Sequence, residues 1–293
     1  MFGNTLRDII DKTNVLFLTC EMSNISETDS IQPVGMSEQP CPPPAARSPM
    51  QVAIVQALLQ PGPIDPALIV EFLSPAAVES RQKAETEQKL RDWANLCKYR
   101  SENAALAQGT PPRLVFIGDS ITEIWRHADP ELFSNGVVGR GISGQTSPQM
   151  LVRFYADAVV LRPRVIHMLT GGNDIAGNTG PSHSDDYKNN IRSMVTLARA
   201  HGIGLAIGSI CPSSRLYWRP QIEPRPMIRL LNEWLRDFTG GEGIPFIDYN
   251  SALAAEDGSF RADLSNDGVH PNLAGYRVMR GLAEPVLAEL GVL

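Results

Sequence analysis

RLVFIGDSIT, residues 113–122, places an apolar run directly before a glycine, an acid and a serine. The run Leu114–Ile117 has the length and composition of a strand that is buried on both faces. Gly118 ends the run, and Ser120 stands where a helix would begin. A serine at that point is either the N-cap of the helix or a nucleophile at the carboxyl end of a strand. The rest of the sequence decides between these two interpretations.

From Pro111 onward, short apolar segments alternate with helical segments. Five segments have the pattern of buried strands: RLVFIG at 113, GVVGRG at 136, RVIHMLTG at 164, GLAIGSI at 204 and IPFIDY at 244. The clearest helix is predicted over Pro226–Phe238, because proline stands at its start, apolar residues recur at helical spacing, and Gly240 and Gly241 follow. Strands that alternate with helices at short intervals form a parallel sheet with helices on both faces. The sequence therefore predicts an α/β fold with about five parallel strands.

Side chains suited to acyl transfer collect at the predicted carboxyl ends of the strands, where the ligand crevice of such a sheet lies. A serine becomes a nucleophile when a histidine takes its proton and a carboxylate orients that histidine. Asp267 and His270 are three residues apart, so both side chains can face Ser120 from one turn. Gly144 allows its backbone to approach a substrate closely, and Asn173 offers a neutral NH₂ group. Both are candidate oxyanion donors beside the backbone N–H of Ser120.

Each of these five residues also has a structural interpretation, as an N-cap, a turn residue or a loop glycine. Their occurrence together in one chain favours the catalytic interpretation. Asp119 and Asp174 are expected to accept hydrogen bonds from neighbouring loop amides and to hold the turns. His167, inside an apolar strand, is expected to be a core histidine.

Four short segments that follow predicted strands or precede the last helix resemble known sequence blocks. GDS at Gly118, GISGQT at Gly141, GGND at Gly171 and DGVHPN at Asp267 resemble, in this order, the four blocks of the GDSL/SGNH hydrolase superfamily. The resemblance covers residues 111–293 and is nearest to the branch of platelet-activating-factor acetylhydrolase-like and bacterial acyl esterases. It implies the SGNH hydrolase fold, a three-layer α/β/α arrangement around a flavodoxin-like parallel sheet. It also implies a serine esterase that works through an acyl-enzyme and needs no metal and no cofactor.

The match to the blocks also implies a role for each candidate residue. Ser120 is the implied nucleophile, His270 the base and Asp267 the partner of that base. Gly144 and Asn173, with the N–H of Ser120, are the implied oxyanion donors.

Two blocks depart from the usual pattern. The second reads GRGISGQT where NRGISGDT is common, so Gly139 and Gln145 are the unusual residues. Gln145 replaces a carboxylate that would order the loop, so the rigidity of this loop and the substrate specificity are expected to differ. In the first block Ile121 replaces leucine, which is a conservative apolar change.

The loop SSRLYWRPQIEPRP, residues 213–226, follows the fourth strand and carries Tyr217, Trp218 and Arg219 where a substrate wall would stand. These three residues are predicted to line the leaving-group side, and simple surface cover is the alternative. The predicted function is hydrolysis of small or short-chain acyl esters, since the sequence shows no long apolar lid. A carbohydrate O-acetyl esterase and a lysophospholipase-like acylhydrolase are the enzyme alternatives. A catalytically silent binding protein is the alternative outside enzymes.

Three regions are predicted along the chain. Residues 1–62 form a disordered or weakly structured tail, residues 63–108 a helical extension that packs on the main domain, and residues 109–293 the hydrolase domain. Pro75–Ala107 is predicted to be one helix because it lacks interior proline and glycine. Besides packing on the main domain, this helix is a candidate for homo-oligomerisation.

Composition and charge argue against several other classes. Of the 293 residues, 43% are hydrophobic and 20% are charged, which is ordinary for a globular protein. No run reaches the roughly 18 apolar residues of a membrane span. The net charge of -6, with no basic stripe, argues against nucleic-acid partners and anionic membrane surfaces, and it is compatible with a neutral or cationic small substrate. The resemblance implies a small-molecule ester as the ligand.

The cysteines and histidines show no ligand spacing. The sequence has four cysteines and five histidines, and Cys20 and Cys41 lie in the predicted tail. Neither a metal site nor a disulfide is therefore expected. The apolar run Asn14–Cys20 is short for a signal sequence, so the compartment is left open, with the cytoplasm slightly favoured over secretion.

Overall fold

A computed structural model of the chain describes Cys41 and residues 48–293. Five strands form one sheet: β1 (Leu114–Gly118), β2 (Val137–Gly141), β3 (Val165–Leu169), β4 (Gly204–Gly208) and β5 (Phe246–Ile247). The strand order is β2-β1-β3-β4-β5, and every neighbouring pair is parallel. The predicted parallel sheet of about five strands is confirmed.

Helices precede, connect and follow the strands. They are α1 (Pro49–Leu59), α2 (Pro66–Phe72), α3 (Pro75–Arg91), α4 (Arg100–Ala107), α5 (Ser120–Ala128), α6 (Ser147–Asp157), α7 (Gly172–Ile175), α8 (Ser184–Ala200), α9 (Arg225–Glu242), α10 (Tyr249–Leu253) and α11 (Leu273–Glu289). Helix α9 runs past the predicted end at Phe238, and Gly243 ends it in the left-handed conformation with a φ of 64°. Among the helices of residues 48–293, none is both long and apolar enough to cross a membrane.

Alternate side chains of β1 point to opposite faces of the sheet. Leu114 and Phe116 belong to the core that includes residues of α1, α5 and α11. Val115 and Ile117 belong to a second core, shared with α6, α8 and α9. All five residues of β1 are buried, which is why the strand reads as a continuous apolar run. The three layers implied by the sequence are therefore present.

The region before the sheet differs from the prediction. Residues 1–40 and 42–47 of the predicted tail lie outside the described residues. Within the remainder, α1 is a regular helix that begins with a capping box between Ser48 and Gln51. Leu58 and Leu59 at its end are buried in the core that contains α5 and α11. The expectation of weak structure is wrong for this helix, because burial against distant elements stabilises it.

The prediction of a single helix over Pro75–Ala107 is also wrong, since two helices, α3 and α4, occupy this range. Helix α3 ends before Asp92, whose carboxylate accepts hydrogen bonds from the backbone N–H groups of Leu96 (2.8 Å) and Cys97 (2.7 Å). Asn95, which lies between Asp92 and Leu96, has a left-handed φ of 56°. A side chain that bonds nearby backbone competes with the helix, and propensity summed along the chain does not detect this.

A disulfide joins Cys41 to Cys97, with the Cα atoms 5.2 Å apart and a separation of 56 residues. The expectation of no disulfide is therefore wrong. Cysteine spacing does not reveal which cysteines the fold brings together, and here the turn after α3 presents Cys97 to the chain before α1.

Candidate active site

Ser120 stands where β1 turns into α5. Asp119 is the N-cap of this helix, and its carboxylate accepts a hydrogen bond from the N–H of Ile121 (3.0 Å). Ser120 is the first residue of the helix, so its N–H is one of the donors that a helix N-terminus leaves without an internal partner. The end of β2 touches this helix closely, because a Cβ at Gly141 would lie 2.1 Å from the backbone nitrogen of Glu123.

Ser120, His270 and Asp267 form a connected chain of side chains. His270 Nε2 lies 2.9 Å from Ser120 Oγ, and His270 Nδ1 lies 2.7 Å from Asp267 Oδ2. The other carboxylate oxygen of Asp267 accepts hydrogen bonds from the N–H groups of Val269 (2.9 Å) and His270 (2.8 Å). These bonds fix the carboxylate in the loop before α11. The order serine, aspartate, histidine along the chain becomes the order serine, histidine, aspartate in space.

The electrostatics suit a histidine that accepts a proton. Burial by itself lowers the pKa of His270, but the charge and hydrogen bond of Asp267, with a further contribution from Asp119, raise it above its ordinary value of 6.5. Burial acts to raise the pKa of Asp267, yet its interactions with His270 and the loop amides lower it to about 2. Asp267 is therefore ionised throughout the range in which His270 titrates.

The three candidate oxyanion donors come from three strand ends. Asn173, in α7 after β3, is buried, and its NH₂ group donates to the carbonyl of Gln145 (3.0 Å) and, more weakly, to Asp119 Oδ2 (3.3 Å). Gly144, after β2, has a φ of 78°, a conformation that glycine adopts freely. The hydrogen bond from Asn173 to Gln145 ties these two loops together. Ser120 and Asn173 both line the cavity beside His270, whereas Gly144 lies outside its lining.

The turn that carries Gly144 is held by residues that the sequence did not reveal. Glu123 of α5 accepts hydrogen bonds from the N–H (2.6 Å) and the hydroxyl (2.7 Å) of Ser143. It also forms an ion pair with Lys98 (2.7 Å). Burial would raise the pKa of Glu123, but Lys98 and Ser143 lower it to about 2. Tyr99 also donates to the carbonyl of Gly141 (2.5 Å). No motif signals these contacts, because they join segments about 20 to 40 residues apart.

Gln145, the unusual residue of the second block, is buried and bonded at both ends of its amide. Its Nε2 donates to the carbonyl of Ala94 (2.7 Å), and its Oε1 accepts from Nε of Arg153 (2.5 Å). A neutral amide suits this place because it both donates and accepts, whereas a carboxylate could not donate to Ala94. The residue thus anchors the turn to the segment between α3 and α4.

A cavity of about 50 Å³ opens beside Ser120 and His270. Its other walls are mainly apolar and come from the ends of β3 and β4 and from the loop before α9. The apolar lining residues are Ile121, Leu169, Ile175, Ile210, Cys211, Pro212, Leu216, Trp218, Pro224, Ile228 and Val269. A space of this size holds about three to five groups the size of a water molecule.

The three predicted wall residues occupy different places. Trp218 lines the cavity and is 42% exposed. Tyr217 is exposed and lies beneath the guanidinium of Arg215, 5.3 Å from its ring centre. Arg219 donates from Nε to the carbonyl of Ala176 (3.3 Å) and so attaches the loop to the turn after β3. Only Trp218 of the three borders the cavity, and the substrate roles stay predictions.

The polar residues Asp119, Asp174 and His167 form hydrogen bonds that fix the loops and the core around the site. Both carboxylate oxygens of Asp174 accept from the N–H of Ser147 (3.0 Å each), and Asp119 holds Ile121, so the expected binding of loop amides is confirmed. His167 is buried and bonded to the hydroxyl of Tyr249 (2.8 Å), as expected of a core histidine. Among residues 48–293, no three His, Cys, Asp or Glu side chains are placed to hold a metal ion.

Comparison with known proteins places these features in a family. The profile of the GDSL-like Lipase/Acylhydrolase family matches residues 116–278. A crystal structure assigned as an acylhydrolase from Bacteroides fragilis has 40% sequence identity and a TM-score of 0.65, over 68% of this chain and 98% of that chain. A GDSL-like lipase from Bacteroides thetaiotaomicron has 38% identity and a TM-score of 0.65, over 68% of this chain and 99% of the other.

A more distant structure, from Streptococcus pneumonia and described as a platelet activating factor, has 24% identity and a TM-score of 0.56. It aligns over 76% of this chain and 100% of its own, and this likeness concerns the fold alone. A comparison with curated proteins gave no match.

Proposed function

Because the chain belongs to the GDSL-like Lipase/Acylhydrolase family and is a carboxylic ester hydrolase, we propose that it cleaves small or short-chain acyl esters through an acyl-enzyme on Ser120. The observation that carries this proposal is the connected chain from Ser120 Oγ through His270 to Asp267, with contacts of 2.9 and 2.7 Å. A nucleophile, a base and an orienting carboxylate in hydrogen-bond contact are what serine acyl transfer requires.

Each step of the reaction has a group to perform it. Neutral His270 takes the proton of Ser120 through Nε2 as Oγ attacks the acyl carbon. The oxyanion that forms accepts hydrogen bonds from the N–H groups of Ser120 and Gly144 and the NH₂ of Asn173. His270 then gives the proton to the departing alcohol, which leaves the acyl-enzyme. Water then attacks the acyl carbon of the acyl-enzyme while His270 takes its proton. His270 returns this proton to Ser120 Oγ as the carboxylic acid leaves.

The size of the cavity supports a short acyl group. A volume of about 50 Å³ next to Ser120 suits an acetyl group or a slightly longer acyl group. Its apolar walls are suited to hydrocarbon, and the catalytic side chains stand at its polar end. The expected chain-length profile therefore declines from acetate and butyrate towards laurate.

The test is a series of p-nitrophenyl esters from acetate to laurate, hydrolysed by the wild-type protein, Ser120→Ala and Ser193→Ala. Ser120→Ala is expected to lower kcat by roughly 10³-fold or more while the fold persists. Ser193 is an exposed serine of α8, so Ser193→Ala is the matched control and keeps the wild-type rate. Equal rates for Ser120→Ala and wild type would contradict the serine mechanism. A maximum at laurate would contradict the short acyl preference and favour a lysophospholipase-like enzyme.

A carbohydrate O-acetyl ester is the second candidate substrate. Trp218, which lines the cavity, is 42% exposed, and its sequence neighbour Tyr217 is 56% exposed. Exposed aromatic rings are suited to stacking on sugar rings. An acetylated xylooligosaccharide tested beside p-nitrophenyl acetate separates the two classes. A higher kcat/KM on the oligosaccharide favours the carbohydrate esterase, and its loss in Trp218→Ala is then expected.

A further inference from the structure

Building on the proposed function, we propose that Asn178 is a positioning residue for the oxyanion donors and that Trp218 sets its orientation from the substrate wall. Three side chains form the connection. Trp218 Nε1 donates to Asn178 Oδ1 (2.9 Å), and Asn178 Nδ2 donates to Asn173 Oδ1 (2.7 Å). The NH₂ of Asn173 then donates to the carbonyl of Gln145 (3.0 Å), and Asn173 lines the cavity with Ser120.

The direction of this chain follows from what each group can do. An indole N–H only donates, so Asn178 must turn its oxygen to Trp218 and its NH₂ the other way. That NH₂ meets the oxygen of Asn173, so Asn173 in turn points its own NH₂ away from Asn178. Reversal of the Asn173 amide would place an acceptor where the oxyanion develops, and reversal of the Asn178 amide would place its oxygen against Asn173 Oδ1. Trp218 therefore fixes the polarity of an amide that it does not touch.

Asn178 also contacts the other oxyanion loop. Its Nδ2 donates to the carbonyl of Gly144 (3.2 Å). Gly144 is an exposed residue, and it has no side chain that could restrain its backbone. The backbone of Asn178 is itself fixed, because its N–H donates to the carbonyl of Asn173 (3.1 Å). The amide of Asn178 thus contacts both Asn173 and Gly144, the two residues that are proposed to bind the oxyanion together with Ser120. Hydrogen bonds that follow one another in such a chain strengthen each other.

Trp218 contacts both the cavity and Asn178. Its ring lines the cavity, and its N–H begins the hydrogen-bond chain. A substrate that packs on this ring restrains the indole and, through Asn178, the donors of the oxyanion hole. Trp218 is therefore a specificity-determining residue whose effect on rate passes through Asn178.

Three variants separate these roles. Asn178→Asp keeps the shape and the acceptor for Trp218 but removes both donations from Nδ2. Trp218→Phe keeps an aromatic wall and removes only the N–H. Asn189→Asp makes the same charge change at an exposed asparagine of α8 and is the matched control. For each protein, kcat and KM on p-nitrophenyl acetate, thermal stability, and the rate at which a p-nitrophenyl alkylphosphonate modifies Ser120 are measured. In that modification Ser120 Oγ bonds to phosphorus, its proton passes to His270 Nε2, and p-nitrophenolate leaves with the electrons of the broken P–O bond. The phosphonyl oxygen occupies the oxyanion position.

Asn178→Asp is expected to lower kcat about 10- to 100-fold with KM nearly unchanged, because the lost contacts matter mainly in the transition state. The phosphonylation rate falls by a similar factor. Trp218→Phe shows a smaller loss in kcat, and adding it to Asn178→Asp causes little further loss, since the chain is already broken. Asn189→Asp behaves like the wild type.

The inference is overturned if folded Asn178→Asp keeps wild-type kcat and phosphonylation rate, or if only KM changes. If Asn178→Asp does not fold, Trp218→Phe decides, and an unchanged kcat in that variant overturns the inference. Failure of the proposed substrate class looks different, because the wild type itself then hydrolyses no ester. Phosphonylation of Ser120 still compares the variants in that event.

Discussion

His270 is a largely buried base whose pKa depends on two carboxylates. Burial lowers the pKa, whereas Asp267, bonded at 2.7 Å, and the nearby Asp119 raise it, with a net value above 6.5. Only the neutral ring can accept the proton of Ser120. The rate should therefore rise with pH through a midpoint above 6.5 and fall as the ring becomes protonated at lower pH.

Asp267→Asn tests this balance. The substitution removes the main influence that raises the pKa of His270, while burial still lowers it, so the acidic limb of the pH–rate profile should move to lower pH. The maximal kcat should fall by roughly 10²- to 10⁴-fold, because the ring loses its orienting partner. Profiles from about pH 5 to 9 for the wild type, Asp267→Asn and the exposed control Asp185→Asn measure both effects. A limb that stays in place would show that Asp267 does not govern the base.

At the scale of elements, the segment between α3 and α4 supports the turn that carries Gly144. Ala94 accepts from Gln145, Lys98 pairs with Glu123, and Tyr99 donates to Gly141. The disulfide at Cys97 attaches this same segment to Cys41. Disulfides persist mainly in oxidising compartments, which argues against the slight preference for the cytoplasm.

Loss of this disulfide is expected to lower the free energy of unfolding by about 2–4 kcal/mol, because it closes a long loop in the unfolded chain. Denaturant titration of Cys97→Ser, Cys41→Ser and the double variant measures the effect. All three should lose the same amount, since each removes the same bond, and a reductant should destabilise only the wild type. Additive losses in the double variant would contradict a shared bond.

At the scale of the whole molecule, the region before the sheet contributes to both sides of the site. The side chain of Asn266, next to Asp267, donates to the carbonyls of Ala57 (3.1 Å), Leu58 (3.1 Å) and Gln60 (2.6 Å) at the end of α1. The segment after α3 contacts the turn that carries Gly144 through Ala94 and Tyr99. The end of α1 and the segment from Ala94 to Tyr99 therefore contact the region that follows residue 109. The packing of residues 63–108 as one helical extension stays a prediction.

Deletion of residues 1–108 is expected to cause aggregation or a large fall in Tm, because it exposes the core that Leu58 and Leu59 cover. Deletion of residues 1–40 is the control and should leave Tm and kcat unchanged, as expected for the predicted tail. Light scattering after size exclusion gives the mass of each protein. A soluble, active 109–293 fragment that changes only from oligomer to monomer would favour the oligomerisation role instead.

The sequence by itself determined the succession of strands along the chain and the polar residues at their ends. Short apolar runs that end in glycine and polar residues must lie in a parallel sheet, and such a sheet brings its carboxyl ends to one edge. Ser120, Asn173 and His270 could be chosen for that reason, and their resemblance to the GDSL/SGNH blocks agrees with the family match.

Only the tertiary structure decided which distant residues meet. The Cys41–Cys97 disulfide, the end of α3 at Asp92 and the bond from Trp218 to Asn178 depend on contacts that the sequence pattern does not contain. Periodicity reports the face of an element that is buried, because it arises from neighbours along the chain. It carries no record of side chains that come together from separate elements, and the supports of the oxyanion loops are of that kind.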